Sequence, residues 1–369
     1  MKEMQIKEKF DKNDTLVVKG IAILLMLFYH LFESRELLET LQVNHAPFSQ
    51  ETFLTLSGYG NICVAVFVFL SAYGITRGLM QERELTPARM MEGAAKRCAR
   101  LMGNFAVMYL SINLLWFRYF NYAGLYGKGW QGGMLGIVDM LGLAQFFGTP
   151  TMNMTWWYMA VAILIIFGTP FLYLLTKKIG NYVLILAVLL PLAVSLDEGV
   201  ERYLVTAALG AAAAQEGWFE RLFSWKRNRL WKGLLGLGLI AVSVLIRQNY
   251  MVHTYFLWIV DAPVALLLCW FGGEIAGRIP VIRQVLAFFG RHSMNIFLVH
   301  TFFYLAIYRD FIYSFRQAGL IFFVLAAVTL VYSVVLELLK TGGKALGRKA
   351  LHFRKGEDPD RQIPGKGKE

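Results

Sequence analysis

His30 stands in the outer half of an apolar run, Leu16 to Phe32, with Lys19 eleven positions before it at the inner end. An ionisable side chain inside a membrane segment is expensive to bury, so it marks chemistry or transport, or else a hydrogen bond that holds two helices together. A neutral imidazole accepts a proton near neutral pH, which is what a general base for a hydroxyl requires. Glu33, three residues on, shares the helix face of His30; it either orients the ring or stands solvated at the boundary. Lys19 reads as a snorkelling anchor at the interface or as an anion contact.

Other residues of chemical interest lie on further apolar runs. His300 falls about 10 Å deep in the run Ser293 to Tyr308, where it either lines the same cavity as His30 or packs between helices. Ser293 reads as the N-cap of that helix. Asp261, about two turns into the run Tyr255 to Gly273, needs a partner, and Arg247, Arg202 and His30 are the candidates. Arg97 and Arg100 share a helix face immediately before the run that starts at Leu101. At a helix N-terminus such a pair favours phosphate; as loop residues they supply only topogenic charge. Trp156 and Trp157 fit an aromatic belt at the outer interface, or a stacking platform for a sugar. Cys63, Cys98 and Cys269 lie too far apart for a disulfide framework or a metal site, and no metal is expected.

These residues need a scaffold, and composition says which kind. The chain is 57% hydrophobic and 17% charged over 369 residues, with a mean hydropathy of +0.49. It belongs in a bilayer. Ten apolar runs follow one another: Leu16 to Phe32, Tyr59 to Leu79, Leu101 to Tyr119, Trp156 to Leu175, Tyr182 to Leu196, Val200 to Ala214, Gly233 to Ile246, Tyr255 to Gly273, Ser293 to Tyr308 and Ala318 to Leu339. The net charge of +12 is distributed by topology. Of the 37 Lys and Arg, only Arg35, Arg118, Lys128, Arg202, Arg247, Arg309 and Arg316 fall outside one alternate set of loops. The positive-inside rule then places both termini in the cytoplasm after ten crossings. The basic balance is therefore a topology signal, and nucleic acid is not an expected partner. The expected fold is all-α: a polytopic membrane bundle of about ten transmembrane helices in one domain, residues 1–351, with a disordered cytoplasmic tail over 352–369. The stretch Gly132 to Phe147 reads as an interfacial or re-entrant helix in an outer loop.

The string Lys19-Gly-Ile-Ala-Ile-Leu-Leu-Met-Leu-Phe-Tyr-His30, the run Phe69-Leu-Ser-Ala-Tyr-Gly-Ile-Thr76 and the run Gly290-Arg-His-Ser-Met-Asn-Ile-Phe-Leu-Val-His300 resemble the acyltransferase-3 family of membrane acyltransferases. The resemblance covers nearly the whole chain. It implies transfer of an acyl group, often acetyl, from cytoplasmic acyl-CoA to a hydroxyl of a surface carbohydrate or its precursor, in the plasma membrane. It also implies that His30 does the chemistry, as a base or as an acyl relay, and that Arg97 and Arg100 hold the coenzyme A phosphates. Lys19 departs from the family's usual arginine: it keeps the charge and loses the planar fork. Its separation from His30, about 16 Å along a helix, matches an extended pantetheine arm. Ala72 after Ser71 departs from the more usual Ser-Gly pair, and packing is the expected role of that segment. The rival expectation is a proton-coupled transporter or glycan exporter with His30, Asp261 and His300 as its proton path.

Overall fold

The computed structural model describes residues 10–82, 84–196 and 198–354, with side chains described as far as Gly342. Within them the chain is helical: α1 (Lys12–Phe32), α2 (Arg35–Thr40), α3 (Gln50–Tyr59), α4 (Cys63–Leu79), α5 (Pro87–Trp116), α6 (Tyr122–Tyr126), α7 (Gly129–Met140), α8 (Ala144–Phe147), α9 (Tyr158–Ile179), α10 (Tyr182–Ala193), α11 (Glu198–Gln215), α12 (Trp218–Ser224), α13 (Arg229–Gln248), α14 (Leu257–Glu274), α15 (Pro280–Phe302), α16 (Arg309–Tyr313) and α17 (Ala318–Arg354). Among the described residues the one β feature is an isolated bridge between Asn44 and Gln317.

Each of the ten apolar runs lies on a helix, and among the described residues seven stretches are long and apolar enough to cross a membrane. The other three are α10, which has only 12 residues, and α11 and α15, whose sequences carry charged residues. Most of α11 is buried against α4, α9 and α14, and its small side chains let those neighbours approach. Among the described residues the bundle is thus all-helical with seven candidate spans by length and composition, and the expected ten crossings go beyond that number.

Local chemistry sets several boundaries differently from the hydropathy. Asp11 and Asp14 form a reciprocal capping box, each side chain accepting from the other's backbone N–H at 2.8 Å, so α1 begins four residues before its apolar run. Thr86 caps α5 and Pro87 opens it, so Arg97 and Arg100 lie in the helix interior. There the amide groups are spent on the helix itself, so no free helix N-terminus stands beside the two arginines. Ser293 is likewise interior to α15, not its cap. The outer segment expected to be interfacial forms α7 and α8, with Trp130, Met134 and Ile137 exposed. α17 continues to Arg354, so residues 352–354, expected to begin a disordered tail, are helical; the rest of that tail lies outside the described residues.

α1 sits at the centre, against α15, α14, α4, α3 and α17. It runs antiparallel to α4, with Gly60 beside Leu25 at one end and Phe10 beside Tyr73 at the other. α15 approaches it through two glycines. A Cβ on Gly20 would stand 2.0 Å from the carbonyl oxygen of Leu286, and one on Gly290 would stand 1.9 Å from that of Leu16. Backbone meets backbone at both points, which is the use of small residues between membrane helices. The outward faces of α10 and α13 carry exposed Leu186, Leu192, Leu234, Leu237 and Leu245, as a lipid-facing surface requires.

Candidate active site

The C-terminal turn of α1 delivers Tyr29 and His30 to the wall of a cavity of about 700 Å³. The wall is completed by the start of α4 with Asn61 just before it, by Gln145 and Phe146 of α8, by Trp157 and the first two turns of α9, by the first turns of α11, and by Phe297 of α15. Its depth follows from helix geometry. Phe67 and Leu164 lie six or seven residues beyond Asn61 and Trp157, so the cavity reaches about 10 Å into the bundle. Met26, Phe67, Ala160, Val161, Leu164 and Phe297 make that part apolar, whereas Tyr29, His30, Asn61, Gln145, Thr155 and Arg202 ring the wall with polar groups.

His30 Nδ1 lies 3.3 Å from Glu33 Oε1, and the ring remains partly accessible. A carboxylate is an acceptor only, so in the neutral ring this contact places the proton on Nδ1 and leaves Nε2 with a free lone pair. Glu33 lies just beyond the span. Burial pushes its carboxyl up, and hydrogen bonds from His30 and Tyr29 outweigh that effect, so the group sits below its ordinary range. Glu33 is thus engaged with the ring and is not merely a solvated boundary residue.

His300 is fully buried, and its ring centroid lies 5.0 Å from that of His30. Its Nδ1 is 2.7 Å from the Phe297 carbonyl, which makes Nδ1 the donor. Nε2 is then an acceptor, and it has no partner in the protein. Six and five residues upstream of it, Met294 and Asn295 meet Asn104 of α5, and Asn295 also donates to Ser333 and Glu337 of α17. The Gly290-to-His300 segment therefore carries one glycine-mediated contact and several polar contacts at one end and the histidine pair at the other.

The remaining expected residues are distributed unevenly. Asp261 accepts from Arg247 Nε at 2.8 Å, and both side chains are buried; Arg247 also donates to the Tyr59 carbonyl at 3.2 Å. This ion pair answers the need for a partner, and Asp261 does not line the cavity with His30. Trp156 belongs to the core, its Nε1 donating to the Leu298 carbonyl at 3.1 Å and its ring 4.8 Å from Phe105, so neither a belt nor a sugar platform describes it. Trp157 does line the cavity, stacked on Tyr203 at 6.2 Å and 15°. Lys19 is half-buried on α1, about 20° around the helix from His30 and far from the cavity wall. Arg97 is half-buried with its guanidinium against Gly78 of α4, and Arg100 is exposed. Phe69, Ala72 and Tyr73 pack around Gly210 of α11, the packing role expected of that run.

The family model described as an acyltransferase domain matches residues 16–338. The chain belongs to this family. No curated protein and no solved structure gives a match. The His30 cavity is accordingly the candidate active site of a multi-pass membrane acyltransferase. Sequence reasoning passed over three of its wall residues, Tyr29, Asn61 and Tyr203, because none is ionised at neutral pH. Arg202 it read only as a loop charge or a partner for Asp261. Its signal was local: an arginine at the head of an alanine-rich helix, on the side of the bundle where basic residues are scarce.

Proposed function

We propose that this acyltransferase moves an acyl group, acetyl in the simplest case, from cytoplasmic acyl-CoA to a hydroxyl of a cell-surface glycan or its precursor, in the plasma membrane. The observation that carries the reading is the His30 pair: Glu33 holds Nδ1, so Nε2 faces its work as a base. The acceptor hydroxyl enters from the polar mouth, gives its proton to Nε2, and attacks the thioester carbonyl. The C–O bond forms as the C–S bond breaks, and the proton taken by His30 returns to the thiolate of coenzyme A. The apolar floor suits the acyl group, because it carries no donor or acceptor left unpaired by a methyl or alkyl chain. Arg97 and Arg100 serve the coenzyme A phosphates from the opposite, basic end, and Lys19 lies along the route of the pantetheine arm. A transfer through an acyl-histidine differs only in order: His30 would attack first, and the kinetics would be ping-pong.

The experiment is His30→Ala in membranes supplied with labelled acetyl-CoA and surface polysaccharide. Transfer is expected to fall by about 10²- to 10⁴-fold, the usual contribution of a positioned base. Full transfer by the folded variant rules the assignment out.

A further inference from the structure

Arg202 brings a half-buried positive charge to the cavity wall and has no carboxylate of its own among the described residues: Asp261, the buried carboxylate that feels it, is already paired with Arg247. Its Nη2 donates to Asn61 Oδ1 at 3.1 Å, and its Nε is buried with no partner. Among the described residues no carboxylate lies within ion-pair distance of it, and Glu198, the other charged residue of the wall, is exposed. The contrast with Arg247 is direct. Where this chain buries an arginine for structure it provides a carboxylate, Asp261 at 2.8 Å. An amide oxygen satisfies one N–H of Arg202, and Asp261, already paired with Arg247, acts on it only at longer range, so two guanidinium groups share one carboxylate.

The surroundings of Arg202 indicate what compensates it. The guanidinium lies 5.6 Å from the centre of the buried Tyr203 ring, and Tyr203 stacks with Trp157, which is half-buried on the cavity wall, so an aromatic side chain stands near the charge. On its other side Asn61 donates to the Tyr29 hydroxyl at 3.5 Å, and the Tyr29 ring is 4.8 Å from that of His30. An anion held by Arg202 is therefore on the same wall as the base, with Asn61 and Tyr29 the two side chains between them. A guanidinium fork beside an aromatic face is a recognition surface for a sugar or polyol that bears a carboxylate or a phosphate.

We propose that Arg202 is the specificity determinant of the acceptor site and selects an anionic acceptor, with the anion carried on or next to the unit that is acylated. The acyl-acceptor role of that ligand rests on the function proposed above; the binding preference does not.

The test is direct binding to the purified full-length protein in detergent, by calorimetry, with two matched pairs of probes: trigalacturonate against trigalactose, and a glycerol phosphate trimer against triglycerol. At least one anionic probe is expected to bind ten-fold or more tightly than its neutral partner, and the pair that discriminates says whether carboxylate or phosphate is read. Arg202→Gln should erase the difference and leave the neutral probes unchanged, with Arg202→Lys retaining part of it. Asn61→Asp, nearly isosteric, supplies a carboxylate to Arg202 from within and should also weaken the anionic probe ten-fold, so the result does not depend on one variant folding. Equal binding within both pairs, or a preference that survives Arg202→Gln and Asn61→Asp, overturns the proposal. A preference with no label transferred from acetyl-CoA to the bound probe sinks the acyltransfer reading alone.

Discussion

The buried imidazole of His300 lies 5.0 Å from that of His30, donates from Nδ1 to the Phe297 carbonyl and leaves Nε2 without a partner. The two rings come from α1 and α15, helices joined elsewhere by the Gly20 and Gly290 contacts. His300 thus keeps an unpaired acceptor beside the proposed base while its own donor is tied to the backbone. His300→Phe fills the space without the acceptor. We expect it to lower acyl transfer at saturating acetyl-CoA by about 10-fold or more while leaving KM for the donor unchanged. An unaltered kcat would reduce His300 to packing.

Glu33 acts through His30, so its removal should be felt in rate. Glu33→Gln keeps the shape and donates where the carboxylate accepted, which disturbs the assignment of the proton to Nδ1. The expected loss in kcat is smaller than for His30→Ala, up to about 100-fold, because Glu33 is partly exposed to solvent. Steady-state kinetics on the two variants decides the order.

The lowered carboxyl of Glu33 also has a sign in stability. A group whose folded pKa is depressed contributes stability above its unfolded pKa and loses it as pH falls through the folded value. The difference in Tm between the parent and Glu33→Gln should therefore be constant near neutrality and close only below about pH 4, the ordinary carboxylate range. A difference that closes between pH 6 and 8 would show that another group carries it.

Asp261 and Arg247 form a buried pair away from the cavity wall. Asp261→Ala leaves the Arg247 charge in the core and should cost about 3–5 kcal/mol of stability. Activity per folded molecule should persist. A stable but inactive Asp261→Ala would place Asp261 in the chemistry instead.

Gly290 has no room for a methyl group, since the nearest atom is a backbone carbonyl that cannot rotate away. Gly290→Ala should lose about 1–3 kcal/mol by forcing α15 from α1, and transfer should fall with it because His300 rides on the same helix. Thermal melting with parallel assays checks both.

What the sequence determined is what depends on neighbours along the chain. Hydropathy period placed every one of the ten apolar runs on a helix, and the motif around Lys19, His30 and Gly290 to His300 pointed to the acyltransferase family that residues 16–338 match. Partition into a bilayer is a sum over consecutive side chains, so it is legible locally. The boundaries of α5 and α15 were not, because their starts are set by a proline in the first turn, with a Thr86 cap on α5, which hydropathy does not register. Pairing across the bundle was decided only in three dimensions. Asp261 had three candidate partners in the sequence and took Arg247, 14 residues away. Trp156 and Trp157 are adjacent in the chain, yet the step of about 120° in the 3₁₀ turn they share sends one into the core and the other to the cavity. Arg202 reached Asn61 across 141 residues, a contact set by the parallel packing of α4 and α11, and that packing is what turned a loop charge into part of the His30 wall.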